Sequence, residues 1–176
     1  KHEQTTNKPA MYKAAETALT AALECDKYDN KPNAKGKIKP KFGSKNAARL
    51  QPARAALINA GQALYDAKDY KGAAAAFGSY VDSGSAKIFQ AAGQDQYLTQ
   101  IAYFAALSAF FGQEYDLADR YSDVAITDTA YVKDAMTVKL NALQNTMKSH
   151  EDTLAVTKKV ENIYAQYPDN QVVFSN

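Results

Sequence analysis

Residue types able to do covalent or metal chemistry are scarce in this chain. Cys25 is the only cysteine, and His2 and His150 are the only histidines, among 176 residues. A zinc-type site needs several Cys or His at short spacings, and no such spacing exists here. Cys25 has no histidine near it in sequence to draw off its proton. Its place beside the apolar stripe of a first helix predicts a packed thiol rather than a nucleophile. The run Ser83, Gly84, Ser85 lacks the strand that precedes a phosphate loop or a nucleophile elbow. Acidic pairs such as Asp66 with Asp69 and Asp116 with Asp119 fall at expected helix ends, where solvated carboxylates need no catalytic role. The expectation is a protein that is not an enzyme, with no metal and no cofactor.

Chemistry of recognition is better supplied. The chain holds 12 Tyr and 7 Phe but no Trp, so most of its aromatic surface ends in a hydroxyl able to reach water or a partner. Charge is unevenly placed. Eight basic residues lie between positions 27 and 49 against Asp29 alone, so this stretch carries +7 and the rest of the +2 chain carries −5. Lys35, Lys37, Lys39 and Lys41 form its centre. They suit an acidic partner, an anionic lipid or a nucleic acid, or else a soluble loop lying across acidic helices. Phe42 is the one aromatic that accompanies these lysines, which gives no stacking platform for specific nucleic-acid reading.

Helices must position these groups. Hydrophobic residues make up 46% and charged residues 23%, a composition suited to a folded domain. No apolar run approaches the roughly 20 residues of a membrane span. Periodicity is helical throughout. Apolar residues Met11, Ala15, Ala18, Leu19, Ala22 and Leu23 mark one face of a helix over residues 11–24. Pro32, Gly36, Pro40 and Gly43 interrupt any helix over the linker at 29–45. Further helices are expected over about 46–67, with Pro52 kinking it or opening a restarted one, and over 70–82, 95–111, 115–126, 131–148 and 151–167. The total is about seven. Ile88 and Phe89 are expected to tuck a connector against the helices. The tail Val172, Val173, Phe174 reads as the start of a further helix.

One pattern recurs in these helices, most clearly over residues 57–80. Gly61 and Leu64 precede Asp69 and Tyr70, and then Ala73, Phe77 and Tyr80. Small residues stand where two helices cross, and an aromatic stands at the turn. This resembles the tetratricopeptide repeat, a helix-turn-helix unit of about 34 residues. A second copy runs through Ala102, Ala105, Ala106, Ala109, Tyr115, Ala118 and Ala125, with Ser122 where Phe77 predicts bulk and Tyr121 expected to supply it. A third uses Leu140, Leu143, Met147, Val156, Val160, Ile163 and Pro168, where Val156 replaces a small residue and predicts wider helix separation. Tyr12, Ala15, Leu19 and Ala22 match only a second helix, so residues 1–28 resemble a truncated repeat and the chain reads as a fragment. The resemblance implies an all-α fold, an α-solenoid of antiparallel hairpins in a right-handed superhelix. Its hairpins would span 54–87, 99–132 and 137–170 within a repeat region at 46–176. A general bundle of Ala-rich hairpins is the alternative.

In that family the first helices of successive hairpins line a concave groove for an extended peptide or a partner helix. Carried onto this chain, the groove residues are Gln62, Tyr65, Tyr103, Phe110, Asn141 and Asn145, with Ile58, Asp66, Gln100, Leu107 and Lys148 beside them. Phe111 lies in the groove or is buried against neighbouring helices. Ile58, Tyr103 and Leu107 stand where a carboxylate clamp needs polar or basic groups, so no clamp is expected. The implied function is a protein-interaction scaffold for a protein or peptide. The other reading is a structural segment of a larger bacterial envelope or assembly protein, packed on further repeats of its own chain. Similar Lys- and Pro-containing linkers in bacterial members suggest an exported or periplasmic setting.

Overall fold

The structure is a computed structural model that describes residues 8–41, 43–90 and 95–168. Among these residues it is all-helical, with eight helices and no strand. In chain order they are α1 (Lys8–Asp29), α2 (Gly43–Asp66), α3 (Tyr70–Gly84), α4 (Lys87–Gln90), α5 (Leu98–Phe111), α6 (Tyr115–Ala125), α7 (Val132–Thr146) and α8 (His150–Gln166). The one beyond the expected seven is α4, a single turn in which Ile88 and Phe89 are buried. The expected further helix at Val172, Val173 and Phe174 lies outside the described residues, as do His2 and Phe42.

Loops of three residues join α2 to α3, α5 to α6 and α7 to α8. So short a connection forces the second helix back along the first, which makes three antiparallel hairpins. Each long helix packs on the next, with α3 lying against both α2 and α5, and α5 also touching α7. That central position explains why α5 is apolar on nearly every side, with Ile101, Ala102, Ala105, Ala106 and Ala109 all buried.

The small residues work by contact. A Cβ on Gly61 would stand 2.5 Å from two carbons of the Phe77 ring, so α2 can approach α3 closely only with glycine there. Phe77 is fully buried and its ring faces Phe104 on α5 at 6.0 Å. In the next hairpin Ser122 occupies the equivalent place and Tyr121 is buried beside it, its hydroxyl against Gly78.

Several expectations are corrected. Helix α1 extends well past residues 11–24, and its buried stripe is narrow: Ala15 and Leu19 are buried, whereas Met11 and Ala18 are exposed. Cys25 is exposed rather than packed, because it lies off the line from Ala15 through Leu19 to Ala22 that meets α2. Helix α2 begins within the expected linker and continues through Pro52, so no second helix restarts there. Pro52 and Ala48 are both exposed, and water can satisfy the carbonyl that the missing N–H leaves open. Asp69 caps α3, accepting the Gly72 N–H at 3.0 Å. Asp119 is not solvated: it pairs with Lys139 on α7 and, at 3.0 Å, with Lys159 on α8.

Candidate partner-binding site

The expected site residues fall into separate groups. Tyr65, near the end of α2, meets Tyr70 edge-on at 5.4 Å and Phe111 at 6.4 Å. Phe111 continues to Tyr70 at 5.3 Å and to Phe110 at 6.0 Å, and Phe110 meets Tyr115 at 5.9 Å. These five rings come from both sides of two hairpin turns and tie those turns together, each pair adding about 0.5–1.5 kcal/mol beyond area burial. Phe111 belongs to this cluster yet is 48% exposed.

Tyr103 belongs to a second group. It stacks on Tyr131 at 5.7 Å and meets Phe104 at 5.6 Å, and Phe104 leads inward to Phe77. The two groups meet electrostatically at their tyrosines. Burial, then Asp134, then Tyr65 push the Tyr103 phenol above its usual range. Burial, Tyr70 and Asp66 do the same to Tyr65. Both hydroxyls therefore keep their protons through the neutral range and can donate to an acceptor. Phe110 and Tyr65 are brought together through Phe111, and Tyr65 and Tyr103 share one neighbourhood.

The amides stand apart from the rings. Gln62 is exposed and donates to Asp66 at 2.9 Å. Asn145 is exposed and donates to the Asn141 carbonyl one turn earlier at 2.8 Å, while Asn141 is half-buried. Ile58, Gln100 and Leu107 are half-buried, and Lys148 is exposed. Tyr70, Tyr115 and Tyr131 were absent from the expected site. Their aromatic character beside the turns was the available signal.

The last hairpin also carries an apolar surface distinct from the expected groove residues Asn141, Asn145 and Lys148. A groove of about 410 Å³ opens between α7 and α8, lined by Leu140, Met147, Val156, Val160 and Tyr164 among others. Met147 and Tyr164 on this lining are exposed, 37% and 46% respectively. Large apolar residues outside the helix stripe of Val156, Val160 and Ile163 are the sequence mark of this face.

Lys35, Lys37, Lys39 and Lys41 form a third region. All residues from 31 to 41 are exposed. Two backbone features shape the loop: Asn33 accepts the Lys35 and Lys37 N–H groups through its side chain, and Gly36 adopts φ +71. Asp29 accepts the Lys41 N–H at 2.8 Å.

Among the described residues no group of His, Cys, Asp and Glu stands together in a way that holds a metal ion. No helix among them is long and apolar enough to cross a membrane. His150 is exposed at the start of α8. No protein-family model matches the chain, and neither a curated protein nor a solved structure matches it.

Proposed function

We propose that the chain is a tetratricopeptide-like α-solenoid that acts as a protein-interaction scaffold without catalytic activity. It takes an extended peptide or a partner helix on the face shared by α2, α5 and α7. The observation that carries this reading is that Tyr65 and Tyr103 each anchor an aromatic cluster on successive hairpins. From the first helices of these hairpins, Tyr65 packs with Tyr70 and the exposed ring of Phe111, and Tyr103 packs with Tyr131 and Phe104. Apolar ring faces with donating hydroxyls suit a peptide backbone, which offers carbonyl acceptors at every residue. Gln62 and Asn145, exposed and apart from the rings, offer further amide groups on the first helices of their hairpins.

The repeat reading is supported by the turns. Lys68 and Gln113 hold equivalent positions with φ of 62 and 61. Asp69 donates to Leu64 and Glu114 donates to Ala109 across them at 2.9 and 2.8 Å. Two hairpins built on one turn geometry are what a repeat predicts.

Because both tyrosines pack in ring clusters, removing only their hydroxyls is the cleaner test. Peptides selected from a phage-displayed random library on the intact chain should bind the Tyr65→Phe, Tyr103→Phe variant at least tenfold more weakly, with the melting temperature little changed. Equal binding to the variant sinks the assignment. The reading as a structural segment of a larger assembly is favoured by a different observation, the open apolar groove between α7 and α8. If the library yields no peptide and Met147→Ser with Tyr164→Ser raises solubility, that second reading takes over.

A further inference from the structure

We propose that the loop between α1 and α2, residues 31–41, docks the molecule onto an anionic lipid surface, with Ile38 entering the headgroup layer among the surrounding lysines.

The first argument is uncompensated charge. Lys31, Lys35, Lys37, Lys39, Lys41 and Lys45 are all exposed. The ion pairs of the described residues engage Lys27, Arg54, Arg120, Lys139 and Lys159, and none of these six. The loop therefore does not lie neutralised across acidic helices. Asp29 is the one carboxylate within residues 27–49, and it accepts the Lys41 backbone N–H. With +7 in this stretch and −5 elsewhere, the chain is a charge dipole that turns the loop toward a negative plane.

Shape is the second argument. The Asn33 turn, the left-handed Gly36 and the Asp29 contact to Lys41 give the loop a defined backbone, so its lysines are displayed with little further ordering. The third is apolar surface placed among the charges. Ile38 is 54% exposed between Lys37 and Lys39, and Tyr28 is 62% exposed with the Lys31 ammonium 4.0 Å from its ring centre. An exposed isoleucine gains nothing from a polyanion in water, but it gains from the acyl boundary of a membrane. Long lysine stems let their charges stay at the phosphates while a neighbouring apolar side chain goes deeper. The choice of lysine over arginine through residues 27–45 favours a diffuse charged plane over fork recognition of individual phosphates or bases.

Cosedimentation with vesicles tests this directly. The intact chain should partition onto phosphatidylcholine–phosphatidylserine vesicles and not onto pure phosphatidylcholine, and binding should fall steeply with added salt. At about fivefold per lysine, changing Lys35, Lys37, Lys39 and Lys41 to Gln should lower partitioning more than a hundredfold. Ile38→Ser keeps every charge and should cost severalfold on vesicles alone, leaving any binding to polyglutamate or single-stranded DNA unchanged. The salt titration uses the unaltered chain and stands even where a variant misfolds. The proposal is overturned if the intact chain ignores anionic vesicles, if Ile38→Ser partitions as well as the intact chain, or if polyglutamate or DNA is bound more tightly than the vesicles.

Discussion

The α2/α3 and α7/α8 hairpins have loops of equal length, but they close in different ways. In the first, Gly61 receives the Phe77 ring, and Ala73, Ala74, Phe77, Tyr80 and Val81 are all buried. In the last, α8 buries Val156 and Ile163 and leaves Leu154 and Tyr164 exposed. The polar ties differ in the same sense. Arg54 of α2 is 4% exposed, donates to the Tyr80 carbonyl, Ser83 and Asp95, and lies 3.9 Å from the centre of the Tyr80 ring. The only ion pair that α8 makes among the described residues bypasses α7: Lys159 reaches Asp119 on α6, with its own side chain 57% exposed. Equal topology thus coexists with a dry seam at one hairpin and a wet one at the other. A dry seam holds a scaffold rigid, whereas a wet apolar seam is a surface still able to take a partner.

The sharpest way to break this comparison is at the two ties. Arg54→Ala leaves Asp95 and the Tyr80 carbonyl without their buried donor and should cost about 3 kcal/mol in urea unfolding. Lys159→Ala should cost less than about 1 kcal/mol, because Lys159 is exposed and Asp119 keeps its pair with Lys139. Acid should separate them too. Burial opposes ionisation of Asp95, but hydrogen bonds from Arg54, the Tyr97 N–H and Tyr80 outweigh it and hold the carboxyl below its usual range. Its contribution is therefore present above the unfolded value of about 3.9 and lost as pH falls through the lower folded one. Burial pushes the Tyr80 phenol up to about 12, so stability from that group is lost as pH rises from about 10 through the folded value. Equal losses for the two variants would mean that the two ties do not differ in burial.

A smaller effect tests the packing layer itself. Gly61→Ala drives a methyl into the Phe77 ring, which is enclosed and unable to swing aside, and should cost about 1–3 kcal/mol. Ala155→Gly on the exposed side of α8 should cost only the helix-propensity difference, about 1 kcal/mol. Thermal unfolding of both variants checks the pair, and a Gly61→Ala loss no larger than that of Ala155→Gly defeats the close-approach argument.

What could be read from residues alone follows the range of the interaction. Gly61, Ala73 and Phe77 sit at helical spacing within one hairpin, so their small-and-large alternation is visible locally, and Tyr121 beside Ser122 is visible for the same reason. Arg54 is not, because Tyr80, Ser83 and Asp95 come to it from another helix and a connector. Lys139 with Asp119 and Asp123 is hidden in the same way, its partners lying on the preceding helix. Cys25 shows the reverse failure: an apolar stripe in α1 suggested a packed thiol, yet that stripe meets α2 only along Ala15, Leu19 and their neighbours. At the candidate site, Tyr65 and Tyr103 were identifiable as residues. That Tyr65 joins Phe111 and Tyr103 joins Tyr131 depends on how the hairpins stack.

The turns give the finest comparison and the smallest energies. Lys68 and Gln113 take left-handed backbone that glycine adopts freely, and neither position announces itself because neither is glycine. An L-residue there costs roughly 1 kcal/mol, partly offset by the extra freedom glycine has when unfolded. Lys68→Gly and Gln113→Gly should therefore each stabilise by about 0.5 kcal/mol. The α7/α8 turn has no such strain. Met147 ends α7 in extended backbone with φ −73 and ψ 95, and Ser149 caps α8 by accepting the Asp152 N–H. Met147→Gly gains nothing in conformation, removes a side chain from the groove wall and should destabilise by about 1 kcal/mol. Opposite signs in matched denaturant titrations are the expected result. The same sign at all three positions would mean that the first two turns and the third are not distinct in kind.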